Sequence, residues 1–310
     1  MNQTELRESL RNVAFTTATP FTDDLAAVNH DALRENLAAV ESAGGELYVP
    51  NGNTGEYYSL TPEERIEVAE TTAAAVDGCV IAGASGSIEQ VIDYAQSYDD
   101  AGINGVMIMH PAHPYKHEVG LTSYYTEIAD RSPIGIIIYK RGRDLPNDVL
   151  VDLAAHDNIA GIKYADADIK AFSRITRNCD EDVVWINGIA ERFAPAFALE
   201  GAEGFTTGIG NFVPEETLAL EAAIENERWE QAREIRDELE PYEALRDEAG
   251  ANNSLDSAYN IPAVKTGLDV AGLNGGPVRP PLVDLDGADV ERAHDYYQRI
   301  SNLETAVQKR

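Results

Sequence analysis

Positive charge is scarce in this sequence. Its 310 residues include 24 lysines and arginines against 54 aspartates and glutamates, which gives a formal net charge of −30. Such a surface repels phosphate groups, so the composition excludes an ordinary nucleic-acid-binding protein and argues against binding to anionic membranes. Carboxylates at this density predict a halophilic protein, because salt at molar concentration screens their mutual repulsion.

Cysteines and long apolar runs are also few. Cys79 and Cys179 are the two cysteines, which is too few for a disulfide framework or a zinc-binding spacing. No apolar run approaches the length that spans a bilayer, and residues 1–7 lack the apolar segment of an export signal. We therefore expect a cytoplasmic protein with no membrane contact.

Short apolar runs alternate with longer amphipathic stretches along the first two thirds of the chain. The predicted strands cover residues 13–17, 46–49, 80–83, 105–109, 134–139, 159–163, 183–187 and 204–207. Strands that alternate with helices are typical of a parallel sheet, and eight such units favour a closed (β/α)8 TIM barrel. No glycine-rich dinucleotide fingerprint follows the first strand, which weakens the alternative of an open α/β sheet.

Four more helical patterns follow the eighth predicted strand. They cover residues 214–226, 229–247, 255–271 and 289–302, and the stretch 274–281 between the last two is rich in proline and glycine. A barrel does not need these helices. We therefore predict a catalytic barrel over residues 1–212 and a C-terminal helical extension, packed on the barrel, over residues 213–310.

Lys163 is a candidate nucleophile. The chain has only six lysines, and this one ends the apolar run 159–163 at the C-terminal tip of a predicted buried strand. A desolvated lysine loses part of its preference for the charged form, and its neutral amine can attack a carbonyl carbon. The segment alone leaves open the alternative that the side chain extends to water from a strand end.

Other reactive and polar residues follow the ends of neighbouring predicted strands, where a barrel of this type places its chemistry. Tyr139 ends the fifth strand, next to Lys163, and a phenol there can relay protons to and from a carbinolamine. The loop after the second strand provides backbone N–H groups and a hydroxyl that can bind a carboxylate. The predicted substrate-binding residues at these ends are Gly52, Asn53, Thr54, Gly55, Gly188, Thr206 and Thr207.

Three histidines after the fourth strand suggest a rival interpretation. His110, His113 and His117 could bind a divalent metal, which would indicate a metal-dependent lyase. Glu118 is the one acidic residue next to them, so the local ligands are poor and we predict no metal site. The favoured interpretation is that His113 forms hydrogen bonds beside the pocket.

The segment Gly52-Asn-Thr-Gly-Glu56, Tyr139 and Gly161-Ile-Lys163, in this order and spacing, resemble the dihydrodipicolinate synthase/N-acetylneuraminate lyase family. The resemblance extends from residue 14 to the C-terminal helices. It implies a (β/α)8 barrel, a homotetramer of paired dimers, a Schiff-base lysine at Lys163 and a proton relay at Tyr139. It also implies that the Thr54 loop binds the carboxylate of a 2-oxo acid and that Gly188 and Thr207 line the pocket.

Departures from the synthase pattern point to a particular branch. This chain has Asn53 where the synthases have a second threonine, and residues 112–113 where they have a tyrosine that enters the neighbouring subunit's site. Arg141 and Arg143 are out of register with the arginine expected after Tyr139. Residues 44–60, 264–265 and 276–282 instead resemble the 5-dehydro-4-deoxyglucarate dehydratase branch, although that branch has an acid and a glycine after the lysine, where this chain has Tyr164.

The sequence therefore predicts a class I lyase that acts on a 2-oxo-3-deoxy sugar acid, with no cofactor beyond a covalent imine on Lys163. The favoured activity is 5-dehydro-4-deoxyglucarate dehydratase, and Arg141 and Arg143 are candidates to bind the second carboxylate. Alternative activities are a pyruvate-releasing aldolase of the 2-dehydro-3-deoxygluconate type and 4-hydroxy-tetrahydrodipicolinate synthase. A sensor that binds sugar acids without catalysis is a further alternative, but it would not need both Lys163 and Tyr139.

Overall fold

Eight parallel strands form a closed barrel in the computed structural model, which describes residues 1–111, 113–142, 145–179 and 182–303. Each strand pairs with the next, and the eighth pairs with the first. The strands are β1 (Ala14–Phe15), β2 (Leu47–Tyr48), β3 (Cys79–Ala84), β4 (Gly105–Ile108), β5 (Gly135–Arg141), β6 (Ile159–Ala165), β7 (Val184–Asn187) and β8 (Gly204–Thr207). The predicted TIM barrel is confirmed.

Strands β5 and β6 are longer than the apolar pattern predicted. Their pairing continues through Lys140 with Tyr164 and Arg141 with Ala165, so Lys163 lies inside β6 and not at its tip. Ladder hydrogen bonds do not require apolar side chains, and a strand can therefore extend past the point where its hydrophobic pattern ends. Strands β1 and β2, by contrast, are each only two residues long.

Side chains alternate between the barrel interior and the layer that faces the helices. In β5, Ile137 and Tyr139 pack with the interior cluster, whereas Ile136 and Ile138 pack with the outer one. In β6, Ile162 and Tyr164 belong to the outer cluster. The two-residue period of a strand consequently directs Lys163, between them, into the barrel.

An N-terminal helix that the sequence analysis did not predict closes the lower end of the barrel. Helix α1 (Gln3–Ser9) begins with a capping box in which Asn2 and Glu5 exchange hydrogen bonds. Leu6 and Leu10 pack into the interior cluster at the end opposite the C-terminal strand ends. The helix is short and places few residues in contact with the barrel, which is why its apolar periodicity was weak.

Helices follow the strands on the outside of the barrel. They are α2 (His30–Ala43), α3 (Pro62–Ala75), α4 (Ile88–Asp100), α5 (Glu118–Arg131), α6 (Asn147–Ala154), α7 (Ile169–Thr176) and α8 (Ala194–Leu199). Thr61 caps α3 in a capping box with Glu64, ahead of Pro62 at the first helical position. Between β7 and α8, residues 191–193 form a short 3-10 turn.

Four helices complete the described chain: α9 (Pro214–Glu225), α10 (Trp229–Arg246), α11 (Asn260–Val270) and α12 (Gly287–Ser301). Helix α11 begins five residues later than predicted, because residues 255–259 form turns. Helix α10 packs against α9 and against the 3-10 turn after β7, which brings its C-terminal end near the strand ends. Within the described ranges, no helix has the length and apolar character needed to cross a membrane.

Candidate active site

Lys163 and Tyr139 face each other across the β5–β6 pair. Their Cα atoms are direct partners in the strand register, and the Lys163 Nζ atom lies 4.5 Å from the centroid of the Tyr139 ring. The two residues are only 7% and 6% exposed. Both side chains therefore share a desolvated position inside the barrel, close to its C-terminal opening.

Burial is the main influence on the charge of Lys163. It lowers the pKa of the ammonium group to about 7, and repulsion from Arg246 and Arg141 acts in the same direction. Among the described residues, no carboxylate lies within ion-pair distance of the Nζ atom to restore the charged form. A substantial fraction of the amine is thus neutral at pH 7 and able to attack a ketone.

Tyr139 is kept protonated by its surroundings. Burial raises the pKa of the phenol, while Arg141 and a hydrogen bond from Asn53 partly oppose that increase. The Asn53 Nδ2 atom donates to the Tyr139 oxygen at 3.1 Å, so the ring is held in position. A protonated phenol beside an amine can give a proton to a carbinolamine hydroxyl and assist its departure as water.

The loop after β2 brings hydroxyls and backbone groups to the same opening. The Thr54 hydroxyl lies 3.1 Å from that of Thr16 at the end of β1, and both are buried. Backbone atoms fix the loop, because the Gly52 carbonyl accepts from Tyr57 N–H and the Gly55 carbonyl accepts from the Thr19 hydroxyl. This arrangement is suited to a small anion such as the carboxylate next to a ketone.

Gly188 leaves room for the Lys163 side chain. A Cβ atom at this position, just after β7, would lie 2.9 Å from the Lys163 Cγ atom. At the end of β8, the Thr206 hydroxyl is oriented toward the Asn187 carbonyl, and the Thr207 hydroxyl accepts from Gly210 N–H at 2.7 Å. These residues lie at the C-terminal ends of β7 and β8.

Arg141 and His113 lie nearer the surface. Arg141 is the exposed last residue of β5, yet its charge lowers the pKa values of both Lys163 and Tyr139. His113 is exposed, and its Nδ1 atom accepts from Tyr115 N–H at 3.1 Å, so its place beside the pocket stays a prediction. Arg143 lies outside the described residues.

The three histidines after β4 do not form a metal centre in the part of the chain that the structure describes. Within it, no group of three His, Cys, Asp or Glu side chains could hold a metal ion. His117 instead caps α5 by accepting from Val119 N–H, and the His110 ring contacts Lys116. His110 and His117 thus form local contacts within the segment after β4.

Two buried charged residues near the site were missed by the sequence analysis. Arg246 ends α10 and repels Lys163 electrostatically, and Glu191 lies in the turn after β7. Arg246 is far from the strands in sequence, and only the packing of α10 brings it there. Glu191 could have been found, because it lies only four residues after the predicted strand 183–187.

A closed barrel whose interior holds a lysine of lowered pKa beside a protonated tyrosine has the features that a class I, imine-forming lyase requires. The chain belongs to the dihydrodipicolinate synthetase family, whose profile matches residues 9–299. Members of this family are lyases that work through a lysine Schiff base without a metal or other cofactor, and this chain is an enzyme of that class.

Relatives with two different names resemble the chain. The 4-hydroxy-tetrahydrodipicolinate synthase of Methanosphaerula palustris is 34% identical over 278 residues, which cover 86% of this chain and 91% of the relative. A protein of Methylobacterium radiotolerans named "probable 5-dehydro-4-deoxyglucarate dehydratase" is 29% identical over 278 residues, covering 87% and 89%. The crystal structure of dihydrodipicolinate synthase from Oceanobacillus iheyensis superimposes with a TM-score of 0.91 at 31% identity, covering 97% of this chain and 100% of that one.

Proposed function

We propose that the enzyme acts on a 2-oxo-3-deoxy sugar acid and that its substrate is the diacid 5-dehydro-4-deoxyglucarate. The observation that carries this proposal is the hydrogen bond from Asn53 to Tyr139. An amide nitrogen at that position holds the phenol but does not pass a proton onward as a hydroxyl would. A dehydration within one bound molecule can use Tyr139 alone as the proton donor and acceptor, whereas the synthases that the chain resembles have a threonine hydroxyl where this chain has Asn53.

The reaction would begin at Lys163. Its neutral amine adds to the ketone carbon, and water leaves with a proton from Tyr139, which forms an iminium ion. The positive nitrogen draws electrons from the adjacent methylene, which loses a proton to give an enamine. The enamine then expels the hydroxyl group on the next carbon as water.

Loss of the distal carboxylate would follow. The conjugated iminium accepts the electron pair of the breaking carbon–carbon bond, CO2 departs, and the remaining enol becomes an aldehyde on protonation. Hydrolysis of the imine releases 2,5-dioxopentanoate and regenerates Lys163. The balance is one diacid converted to one CO2, one water and one dioxo acid.

4-Hydroxy-tetrahydrodipicolinate synthase is a second candidate, which specific observations support. The Methanosphaerula palustris relative carries that name at 34% identity, and the Oceanobacillus iheyensis structure shares 31% identity. Both activities would use the same Lys163 and Tyr139. A pyruvate-releasing aldolase would use the pair as well, whereas a sensor without catalysis would leave the depressed pKa of Lys163 without a purpose.

One panel of substrates tests the proposal. The enzyme is incubated with 5-dehydro-4-deoxyglucarate, with 2-dehydro-3-deoxygluconate, and with pyruvate plus aspartate semialdehyde, and CO2, pyruvate and condensation product are measured. We expect CO2 and 2,5-dioxopentanoate from the diacid and little product from the other two. Rapid condensation would establish the synthase, and pyruvate release from the mono-acid with an inert diacid would establish the aldolase.

We also propose that the enzyme is a cytoplasmic homotetramer. The support is the likeness of nearly the whole chain to dihydrodipicolinate synthases, together with the exposed aromatic side chains Tyr58 and Tyr115, which a partner subunit could cover. Light scattering in concentrated salt would test the assembly, since the chain mass is 33.7 kDa. A mass equal to one chain would exclude the tetramer.

A further inference from the structure

Arg246 is a buried cation near the candidate active site. It is 5% exposed, which is close to the exposure of Lys163 and Tyr139. Its positive charge helps to lower the pKa of Lys163, so the guanidinium group lies within electrostatic range of the amine. Its ion-pair partner is Glu243, and burial of a charged pair is itself costly, so a position of this kind needs an explanation.

The protein satisfies only part of the hydrogen-bonding capacity of Arg246. Its Nη1 atom donates to Glu243 at 2.7 Å, and its Nε and Nη2 atoms donate to the carbonyl and side-chain oxygens of Asn260, both at 3.2 Å. A guanidinium group has five N–H donors. Among the described residues, three of them have these acceptors, which leaves one N–H on each terminal nitrogen.

Gly208 leaves room for the guanidinium group just after the C-terminal end of β8. This residue follows Thr207 at the end of β8, and a Cβ atom on it would lie 2.5 Å from Arg246 Nη2 and 2.8 Å from Nη1. Its φ of −106° is ordinary for any residue, so backbone conformation does not explain a glycine here. The close approach of the Arg246 guanidinium group, which leaves no room for a Cβ atom, explains the glycine.

Glu191 adds a second unsatisfied group beside Arg246. It is 0% exposed, and neither carboxylate oxygen forms a hydrogen bond to the described residues, although the Thr207 hydroxyl lies nearby. Burial and the negative charge of Glu243 raise the pKa of Glu191 to about 8, against smaller opposing effects of Thr207 and Arg246. At neutral pH the side chain is mostly protonated and provides an O–H donor.

We propose that Arg246, for which Gly208 leaves room and beside which Glu191 is buried, binds the distal carboxylate of the substrate. The Thr54 loop would bind the carboxylate next to the ketone, at the other side of Lys163. This inference rests on the proposed diacid substrate. Two N–H groups on the terminal nitrogens of one guanidinium match the two oxygens of a carboxylate, and a neutral Glu191 avoids repelling it.

Arg141 is the competing cation. It is exposed, so water screens its charge and weakens any bond that it forms with a carboxylate. Arg246 is already desolvated and held by fixed partners, and a ligand that reaches it loses little to side-chain ordering. The structure therefore favours Arg246 for the distal carboxylate, and Arg141 for tuning of Lys163 and Tyr139.

A matched pair of ligands tests the assignment without turnover. 2-Oxoadipate and 2-oxohexanoate have the same chain length and differ in the distal carboxylate, and neither carries a hydroxyl that can be eliminated. Each is trapped on the enzyme with borohydride at increasing concentration, and intact mass gives the half-saturating concentration. We expect the diacid to half-saturate the wild-type enzyme at an about 10- to 100-fold lower concentration, as for a charge-assisted hydrogen-bonded pair.

Two variants then test whether Arg246 is the cation that binds the distal carboxylate. Arg246→Gln removes the charge and should abolish the preference for the diacid, while trapping of 2-oxohexanoate continues. Gly208→Ala keeps the charge but displaces the guanidinium group, so it should reduce the preference by roughly tenfold. Arg192→Gln is the matched control, because Arg192 is paired with Glu240 and Asp247 and should leave the preference unchanged.

Folding is checked by thermal melting, since Arg246→Gln leaves Glu243 without its ion-pair partner. If that variant does not fold, the diacid preference of Gly208→Ala alone tests the role of Arg246. Equal half-saturation by the two ligands in wild type, or a full preference in a folded Arg246→Gln or Gly208→Ala variant, would overturn the inference. Loss of the preference in Arg141→Ala with retention in Arg246→Gln would assign the carboxylate to Arg141.

The same measurements separate this inference from the proposed function. A wild-type enzyme that prefers 2-oxoadipate but releases no CO2 from 5-dehydro-4-deoxyglucarate would refute the dehydratase and support the role of Arg246. A wild-type enzyme that releases CO2 while Arg246→Gln keeps its diacid preference would refute the role of Arg246 alone.

Discussion

Two buried lysines of this protein, Lys163 and Lys265, have opposite surroundings. Burial lowers the pKa of each ammonium group. Lys265, on α11, forms an ion pair with Glu56 at 2.6 Å and donates to the Pro277 carbonyl at 2.8 Å. Lys163 has no such partner among the described residues, and repulsion from Arg246 and Arg141 lowers its pKa further. The ion pair therefore opposes the effect of burial on the pKa of Lys265, whereas repulsion from arginines adds to the effect of burial on the pKa of Lys163.

The comparison shows that partners, and not burial alone, distinguish a structural lysine from a reactive one. A cavity of about 620 Å³ opens beside Lys265 and is lined by Phe21 and Pro277, but the ammonium group there is already paired. Lys265 and Arg279 instead connect the segment after α11 to Glu56 and Glu64, which fixes one end of the Thr54 loop. A search for cavities alone would therefore have indicated Lys265 as the reactive lysine instead of Lys163.

The largest contrast is expected from one substitution made at both positions. Lys163→Met should reduce turnover by at least about 10⁵-fold, because no imine forms without the amine. Its thermal stability should be equal to or higher than that of wild type, since an unpaired buried amine is removed. Activity with the favoured substrate, borohydride trapping and melting are measured together. A covalent adduct in the folded variant would move the imine to another lysine.

Tyr139→Phe tests the partner of the reactive lysine. The substitution removes the hydroxyl that Asn53 contacts and keeps the ring that packs beside Lys163. We expect turnover to fall by about 10²- to 10⁴-fold, the usual contribution of a positioned acid or base. Tyr164→Phe is a suitable control, because its ring packs in the outer layer. Turnover near wild type in Tyr139→Phe would show that the phenol is not a relay.

Lys265→Met should affect stability rather than chemistry. Glu56, which is completely buried, would lose its cation, and removal of one partner from a buried ion pair costs about 3–5 kcal/mol. Chemical denaturation in concentrated salt measures the change in unfolding free energy. The double variant Glu56→Gln/Lys265→Met should recover part of the loss. A single variant as stable as wild type would mean that the pair contributes nothing.

The barrel could be predicted from the sequence because each strand–helix unit carries its own local pattern. The predicted position of Lys163 in a buried strand relied on that same local signal, although β6 extends two residues further than its apolar run. The Glu56–Lys265 pair, the packing of Leu6 and Leu10 into the barrel and the approach of Arg246 to Gly208 could not be predicted. Each joins segments far apart in the chain, and such contacts follow from tertiary packing.

The pH dependence of imine formation tests the depressed pKa of Lys163 without mutation. With a pKa near 7, Lys163 should be trapped by a 2-oxo acid at a rate that rises about tenfold per pH unit below 7 and levels off above it. A lysine with an ordinary pKa would continue to gain rate up to about pH 10. Arg141→Ala removes one repelling charge and should shift the midpoint upward. A midpoint near 10 in wild type would contradict the depressed pKa.

Salt should act on the surface and leave the contrast between the two buried lysines unchanged. The net charge of −30 causes self-repulsion at low ionic strength, and repulsion between exposed charges is screened within about 3 Å at 1 M salt. We expect the melting temperature to rise by several degrees between dilute buffer and 2 M KCl, while the pH midpoint of Lys163 moves by less than about half a unit because the amine is desolvated. A single surface substitution such as Glu35→Gln should change the melting temperature in dilute buffer very little, because it removes only one of many negative charges. An unchanged melting temperature would argue against a halophilic protein, and a large shift of the midpoint with salt would show that Lys163 is open to solvent ions.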